Sequence, residues 1–318
     1  MNYRPVYFLL LILFVPVFTW AWGFHGHRLI NRKAIYSLPA EMFAFYKANI
    51  DFLEAHSIDP DKRRYVVEGE AVKHYIDLDH VFDGGVISLD SINSKLPFTW
   101  QTHMDSLMML EVSEHGILPW NLLFQFRLLT AAFIRKDANR ILTLSAEIGH
   151  YASDAHVPLH TTENYNGQLT GQEGIHALWE SRIVEEYSND YTFLGGKADY
   201  LENPQLSIWK IIVQSHILVG EVLSEEQKLR ERTKDSRVFS SKFNGWSGDV
   251  VFSSYYIEQY NEAVGWLVQK RMVSSAQFIA SIWYTAWVNA GQPDLSFLDS
   301  SGCQIMDSVL ESEPAHVH

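Results

Sequence analysis

A cluster of metal-binding side chains at helical spacing is the feature that most constrains how this chain can fold. The sequence His-Tyr-Ala-Ser-Asp-Ala-His-Val-Pro-Leu-His places His150, Asp154 and His160 in the pattern H-x3-D-x5-H. Residues four apart project from one face of a helix, so His150 and Asp154 form a pair of neighbouring donors. His176 and Glu180 repeat that spacing after a short loop. Because imidazole nitrogen and carboxylate oxygen suit Zn²⁺, the pattern predicts a zinc site built on helices.

Most of the other histidines are expected to be structural. The chain has 14 histidines, and a lone histidine on a helix is more often a hydrogen-bonded structural residue than a metal ligand. This interpretation applies to His25, His56, His80, His103, His115, His156 and His216. His316 and His318 belong to the C-terminal tail, where histidines are expected to be solvated.

Composition limits the classes of protein that the chain can be. Of its 318 residues, 47% are hydrophobic and 14% aromatic, which is enough to bury a large core and argues against disorder. The formal net charge of −13 disfavours a protein that holds nucleic acid mainly through its overall field. The negative net charge does not exclude a nuclease, because bound Zn²⁺ would reverse the sign of the charge at its site. The single cysteine, Cys303, excludes an intrachain disulfide and a thiolate-rich zinc site.

Positions 1–21 have the composition of a secretory signal sequence. Arg4 supplies a positive charge, an apolar run follows from position 8 to 18, and Thr19 and Ala21 are small residues suited to cleavage after Ala21. A membrane anchor is the alternative, but the run is shorter than the roughly 20 apolar residues of a spanning helix. We therefore expect an exported protein, periplasmic or extracellular, whose mature chain begins at Trp22.

Helical periodicity dominates the mature chain and predicts an all-α fold. Helices are expected at positions 28–38, 41–53, 68–77, 107–112, 122–134, 138–155, 176–187, 204–229 and 253–290. Loops or turns are expected at 59–64, 81–100, 164–174 and 230–247. No segment shows the alternation of a strand, and no linker divides the chain. We expect a single multi-helical domain at 22–295, followed by a tail at 296–318.

Five short elements occur in a specific order over residues 22–187. They are a Trp-Gly with a histidine five residues on, an aspartate ahead of His-Tyr-Ile-Asp, the H-x3-D pair, a Pro-Leu-His and the H-x3-E pair. Each element is common by itself, but the ordered set resembles the superfamily of zinc-dependent phospholipase C and S1/P1 nucleases. The resemblance implies an all-helical domain of the phospholipase C/P1 nuclease type that binds three zinc ions.

The resemblance also implies which residues bind each ion. The first would be bound by Asp59, His74, His150 and Asp154. The second would be bound by His160, His176 and Glu180. The third would be bound by His27, by a shared oxygen of Asp154 and by the amino nitrogen and carbonyl oxygen of Trp22. Cleavage after Ala21 would then be needed for activity, because an amide nitrogen is not ordinarily a metal ligand.

One ligand assignment has an open alternative. Asp61 lies two residues after Asp59 and is of the same chemical type. The spacing between the aspartate and His74 favours Asp59. Both residues are therefore candidates, with Asp59 preferred.

The substrate class is open as well. The short interval between His160 and His176, and the glutamate at position 180, favour a phospholipase C, whereas Pro-Leu-His and Trp179 are typical of the nucleases. We expect a phospholipid or a single-stranded nucleic acid as substrate, without a stable nucleic-acid complex or a membrane-spanning segment. A phospholipase would show an exposed apolar rim near the site, and a single-strand nuclease would show aromatic side chains that stack on bases. Nothing in the sequence indicates an oligomeric state.

The expected activity is hydrolysis of phosphodiester bonds. Paired metal ions clamp phosphoryl oxygens and lower the pKa of a bound water, so a metal-bound hydroxide would attack phosphorus. Asp59 is the candidate catalytic residue, because a carboxylate there would orient or deprotonate the water. The alternative is a non-catalytic zinc-binding structural protein, which would keep the ligands but lack an open coordination position.

Overall fold

The computed structural model of the protein describes residues 22–82, 87–95, 114–244, 247–296 and 298. Within these residues the regular structure is helical except for one two-stranded hairpin, so the predicted all-α class is confirmed. Several predictions fall outside the described residues: the signal sequence at 1–21, the helix at 107–112, His103 and nearly all of the tail at 296–318.

The described helices run along most of the chain. In chain order they are α1 (Gly23–Ala34), α2 (Ala40–Ala48), α3 (Ile50–His56), α4 (Asp59–Arg63), α5 (Leu78–Phe82), α6 (Leu89–Lys95), α7 (Leu118–Arg135), α8 (Ala138–Asp154), α9 (Ile175–Ala177), α10 (Ile183–Tyr187), α11 (Pro204–Ile217), α12 (Val219–Arg232), α13 (Asp235–Val238) and α14 (Ser254–Asn289). Short 3-10 turns are Ile35–Ser37, Ala71–Lys73, Pro158–Thr161 and Ser188–Asp190, and a π turn at Leu178–Arg182 joins α9 to α10.

Helices α8 and α14 pass through the core. Asp137 caps α8 by accepting a hydrogen bond from the backbone N–H of Arg140 at 3.0 Å, and Ser253 caps α14 in the same way. From position 144 to 154 every residue of α8 except Glu147 is buried. The two helices are joined by the indole N–H of Trp283, which donates to the carbonyl of Ser145 at 3.1 Å. Helix α8 therefore carries its polar residues into the buried interior.

Helix α1 packs against α8 and brings His27 to the polar end of that helix. Gly149 permits the close approach, because a Cβ at this position would lie 1.9 Å from Oδ1 of Asn31. The indole N–H of Trp22 donates to the carbonyl of Ser153 at 2.7 Å and holds the start of α1 on the last turn of α8. As a result, Nδ1 of His27 lies 2.8 Å from Oγ of Ser153.

Short elements differ from the sequence-based expectations. Helix α4 occupies the predicted turn at 59–64, because Pro60 fits the first turn of a helix, where its missing N–H is not needed. Helix α6 lies inside the predicted loop at 81–100. The helix predicted at 68–77 is wrong, since a 3-10 turn at Ala71–Lys73 is the regular structure found there.

The hairpin contradicts the expectation that the chain has no strands. Strands β1 (Phe239–Asn244) and β2 (Ser247–Phe252) pair antiparallel, with Phe239 opposite Phe252. The charged residues and glycines of 230–247 predict a loop there. The signal that indicates a hairpin is the Asn-Gly dipeptide at 244–245 ahead of two valines, a combination that favours a tight turn followed by a strand.

Among the described residues, one helical stretch is long and apolar enough, by length and composition alone, to cross a membrane. It spans Pro204–Arg232, 29 residues with a mean hydropathy of 1.4, and 39% of its apolar window is buried in the protein. Ser215 in this stretch donates to the carbonyl of Ala155 at 2.5 Å, and Nδ1 of His216 lies 2.8 Å from the carbonyl of Thr161. These polar contacts to the interior are typical of a core helix.

The contact between α1 and α8 makes a testable prediction about Gly149. Alanine has the better helix propensity by about 1 kcal/mol, but its Cβ would overlap Asn31 and cost about 1–3 kcal/mol in overpacking. We expect Gly149→Ala to lower the urea midpoint of unfolding. The control is Gly220→Ala, because Gly220 in α12 has open space around its Cβ position. Equal stability of the two variants would contradict the close contact.

Candidate metal centre

Helix α8 supplies the first donors of a buried cluster. His150 and Asp154 are one turn apart on α8 and face His74, which follows the turn Ala71–Lys73. Oδ2 of Asp154 lies 3.0 Å from Nδ1 of His74 and 3.3 Å from Nε2 of His150, and the two nitrogens are 3.1 Å apart. All three side chains are buried. Their donor atoms lie close enough together to hold one metal ion.

Asp61 and His27 extend this cluster. Nε2 of His27 lies 3.5 Å from Oδ1 of Asp154 and 3.9 Å from Oδ2 of Asp61. Oδ1 of Asp61 lies 3.7 Å from Nε2 of His150 and 3.9 Å from Nδ1 of His74. The two oxygens of Asp154 therefore face different imidazoles. These five residues are named the inner group.

A second cluster, named the outer group, consists of His160, His176 and Glu180. His160 comes from the 3-10 turn Pro158–Thr161, His176 from α9, and Glu180 from the π turn that follows α9. Oε1 of Glu180 lies 2.9 Å from Nε2 of His176, and Oε2 lies 3.5 Å from Nε2 of His160. All three side chains are buried and could hold a metal ion.

In the inner group, hydrogen bonds at the far ring nitrogens orient two imidazoles. Nδ1 of His150 lies 2.8 Å from the carbonyl of Ser57, so this nitrogen is the donor and Nε2 keeps its lone pair for the cluster. Nδ1 of His27 lies 2.8 Å from Oγ of Ser153. The Ser153 hydroxyl donates to the carbonyls of Gly149 and His150, so it accepts from His27. Such outer hydrogen bonds are typical of metal-binding histidines.

The outer group has the same arrangement. Nδ1 of His160 donates to the carbonyl of His74 at 2.5 Å, and Nδ1 of His176 donates to the carbonyl of Tyr165 at 3.0 Å. Both Nε2 atoms face Glu180. The bond from His160 to His74 also links the outer group to the inner one, so the two clusters form one polar centre inside the helices.

Several nitrogen and oxygen atoms that could bind a metal, in both groups, are buried without a hydrogen bond of good geometry. They are Oδ2 of Asp61, Oδ1 of Asp154, Nε2 of His160, Nε2 of His176 and both carboxylate oxygens of Glu180. Leaving a buried polar atom uncompensated costs on the order of 1–3 kcal/mol and more when the group is charged, so native proteins rarely do so. A cation in each group would satisfy these atoms together. The donor set of imidazoles and carboxylates fits zinc.

Burial also changes the pKa values of the inner group. It raises the pKa of Asp61 to about 7 and that of Asp154 to about 8, from an ordinary value of 3.8. The same burial lowers the pKa values of His74 and His150, which keeps these imidazoles neutral and able to donate a lone pair. The carboxylates therefore need a nearby positive charge to ionise fully at neutral pH.

The structure brings Asp61 into the inner group and leaves Asp59 outside it, although the sequence spacing favours Asp59 as ligand and catalytic residue. Residues two apart on a helix differ by about 200° in direction, so only one of these aspartates can face α8. Asp59 faces outward, with Oδ2 2.6 Å from Nδ1 of His56 and Oδ1 2.9 Å from Nζ of Lys62. The spacing to His74, on which the preference rested, carries no information about the direction of a side chain on α4.

Trp22 lies next to the inner group. It is buried, its indole ring is 5.1 Å from that of Trp179, and its indole N–H reaches Ser153. Its carbonyl oxygen accepts a hydrogen bond from the backbone N–H of Gly26 at 3.1 Å. Metal binding by its amino nitrogen stays a prediction, because residues 1–21 lie outside the described residues.

A cavity of about 390 Å³ opens beside the outer group. His160 and His176 line it directly, together with Arg64, Tyr75 and Tyr165. The inner group, in contrast, is enclosed by helices. A small molecule that enters this cavity therefore meets the outer group first.

The sequence does not indicate that Tyr151, held by a hydrogen bond to Glu70, packs beside His74. Glu70 is buried and accepts from the phenol of Tyr151, from Nζ of Lys73 at 2.6 Å and from Arg63 at 3.4 Å. The Tyr151 ring in turn packs 5.3 Å from the imidazole of His74. Glu70 and Tyr151 are 81 positions apart, so no local spacing indicates that they meet.

Comparison with known proteins gives a likeness of fold without a likeness of sequence. No family model matches the chain, and no curated protein matches it. Among solved structures, the chain is similar to the alpha-toxin of Clostridium perfringens from avian strain SWCP, with a TM-score of 0.44 and 14% identity. The match covers 86% of this chain and 65% of the toxin, so the chain spans slightly less than two thirds of that protein. At this level the likeness concerns the fold alone.

The placement of the two aspartates gives a direct test. Asp61→Asn replaces a carboxylate at the inner group with a neutral amide, so we expect zinc affinity to fall by at least about tenfold. Asp59→Asn is the matched control and should keep affinity within about twofold, since Asp59 faces outward. Competition against a chelating dye measures both. An equal loss in the two variants would contradict the assignment.

The raised pKa values predict how stability depends on pH without metal. Carboxyls whose pKa is higher in the folded than in the unfolded state bind more protons when folded, so stability falls as pH rises. For Asp61 and Asp154 the last part of that fall lies between about pH 7 and pH 8, where unfolded histidines are mostly neutral.

We therefore expect the urea midpoint of chelated protein to fall between pH 7 and pH 8. The urea midpoint of zinc-loaded protein should fall less over this pH range, because the cation keeps the carboxylates of the inner group ionised. Asp77, whose pKa burial raises to about 7, lines the same cavity as the outer group and would add to this fall in the chelated protein. Identical pH profiles with and without zinc would contradict this account.

Proposed function

We propose that the protein is an exported, zinc-dependent hydrolase of phosphodiester bonds. The observation that carries the proposal is the outer group, a buried set of two histidines and a glutamate whose histidines line an open cavity. Structural zinc sites are closed, whereas catalytic sites keep a position for water or substrate. The ordered Trp-Gly, His, Asp and Glu elements that resemble the phospholipase C and S1/P1 nuclease superfamily support the same class.

The donor atoms suggest how three zinc ions would be distributed. One would be held by Asp61, His74, His150 and Asp154. Another would be held by His160, His176 and Glu180. A third would be held by His27, by Asp154 and by the terminal amine of mature Trp22. Asp154 is suited to bridging, because its two oxygens face different imidazoles.

When bound, zinc would polarise the phosphoryl oxygens and lower the pKa of water at the site. The chain's own residues supply orientation. The backbone carbonyls of His74 and Tyr165 hold the outer imidazoles with Nε2 toward Glu180, so these donors need no rearrangement when a substrate arrives. Arg64 lines the same cavity and provides a positive charge for a phosphate group.

A non-catalytic zinc-binding protein is the second candidate. The enclosed inner group is the observation that favours it, since a closed set of donors is typical of a structural zinc site. The open cavity at the outer group favours the enzyme. Both candidates predict bound zinc, so only turnover separates them.

Turnover of a chromogenic phosphodiester by mature protein is the test of this function. We expect zinc-loaded protein beginning at Trp22 to hydrolyse bis(p-nitrophenyl) phosphate and a chelator to abolish the reaction. Asp154→Asn should lower both zinc content and turnover, the latter by at least about 100-fold, because it removes a charged bridge. Asp137→Asn, which keeps an N-cap on α8, is the control. Bound zinc without turnover would favour the structural protein.

A further inference from the structure

Arg271 on α14 is a buried cation. It is 5% exposed, and among the described residues its guanidinium takes part in no ion pair. Burial lowers the pKa of Arg271 to about 10, so the group stays charged at neutral pH. A buried charge is costly unless other polar groups compensate for the lost water. The acceptors of its hydrogen bonds therefore indicate the role of Arg271.

The guanidinium of Arg271 binds the stretch of chain that follows α8. Its Nε donates to the carbonyl of His156 at 2.8 Å, and its Nη2 donates to Oγ of Ser215. The Ser215 hydroxyl in turn donates to the carbonyl of Ala155 at 2.5 Å. Carbonyls at the C-terminus of a helix have no partner within the helix and carry a partial negative charge, so they suit a cation.

These two carbonyls belong to the stretch that joins the two metal-binding groups. Asp154, the last residue of α8, is in the inner group, and His160 is in the outer group. Positions 155–159 between them are named the connecting segment, and all five residues are buried. The N–H groups of 155–157 donate to carbonyls in the last turn of α8, whereas the carbonyls of Ala155 and His156 are held by α11 and α14.

Helix α11 also holds the chain just beyond the connecting segment. Nδ1 of His216 lies 2.8 Å from the carbonyl of Thr161, the residue after His160. Ser215 and His216 are neighbours on α11, so adjacent side chains hold the two ends of the stretch 155–161. Since Nη2 of Arg271 donates to Oγ of Ser215, it leaves the hydroxyl hydrogen directed at the carbonyl of Ala155.

We propose that Arg271 is a positioning residue for the metal centre, which holds the connecting segment and so sets the placement of the outer group relative to the inner one. The inference rests on the proposed function to the extent that both groups bind zinc. Arg271 touches neither group directly, and it acts through Ser215 and the carbonyl of His156. Ligands that are already held in place need no ordering when the metal binds.

The test compares zinc affinity in variants of the mature protein. Arg271→Met removes the guanidinium but keeps a long side chain on α14. We expect its zinc affinity, measured by competition against a chelating dye, to fall by about tenfold. Ser215→Ala removes the link to Ala155 and should lower the affinity in the same direction but by less. This second variant keeps the proposal testable if Arg271→Met does not fold.

Cobalt gives a second measurement that is independent of turnover. The visible absorption bands of protein-bound Co²⁺ depend on the number and arrangement of its ligands. If the connecting segment places Asp154 and His160, these bands should shift in Co²⁺-loaded Arg271→Met relative to the parent protein. A residue that contributes to stability alone would leave them unchanged.

Trp283→Phe is the matched control. It removes another hydrogen bond between α14 and α8, from the indole N–H of Trp283 to the carbonyl of Ser145. Ser145 lies nine residues before Asp154 on α8, which is roughly 14 Å along the helix. The urea midpoint of this variant should fall, because Trp283 is buried. Its zinc affinity should stay within about twofold of the parent, and its Co²⁺ bands should match those of the parent.

Two outcomes would overturn the positioning role. Arg271→Met and Ser215→Ala would bind zinc as tightly as Trp283→Phe does, or the Co²⁺ bands of Arg271→Met would match those of the parent. Zinc affinity is measured without substrate. Bound zinc without phosphodiester turnover would therefore refute the proposed function, while the comparison of zinc affinities would still decide the role of Arg271.

Discussion

Three buried carboxylates, Asp61, Asp154 and Glu180, face imidazoles in the interior of the protein. The packing of the helices around them depends on how the charge of these carboxylates is neutralised. Burial raises the pKa values of Asp61 and Asp154, so without a cation the site tends to keep protons. A metal ion would let both aspartates ionise and would use donor atoms that have no hydrogen bond. Metal binding and folding are therefore expected to be linked. A metal ion bound by the inner group would hold α1, α4 and α8 together, because these helices carry His27, Asp61 and Asp154.

The parts of the site that lie on one helix were predictable from the sequence. His150 with Asp154, and His176 with Glu180, are four apart, and helical geometry alone puts each pair on one face. The choice between Asp59 and Asp61 was not predictable in this way. It depends on which side of the short helix α4 meets α8, a tertiary contact. The support of His74 by Glu70 and Tyr151 is likewise a contact between distant segments, without a local pattern.

The fold shows the same division between local and tertiary information. The long helices α7, α8 and α14 follow from apolar periodicity and from caps such as Asp137 and Ser253. Short elements such as α6 and the β1–β2 hairpin were missed, because a few residues carry little periodicity and packing decides their form. The close approach at Gly149 could not be inferred either, since a glycine inside a helix by itself indicates only lower helix propensity.

Both the inner and the outer group are expected to bind metal. Anomalous diffraction from crystals of the mature protein, measured on both sides of the zinc absorption edge, tests this expectation most directly. We expect a zinc peak among His74, His150, Asp61 and Asp154, and a separate peak among His160, His176 and Glu180. Crystals grown with zinc that show no anomalous peak in either group, with the side chains joined by hydrogen bonds or waters alone, would contradict it.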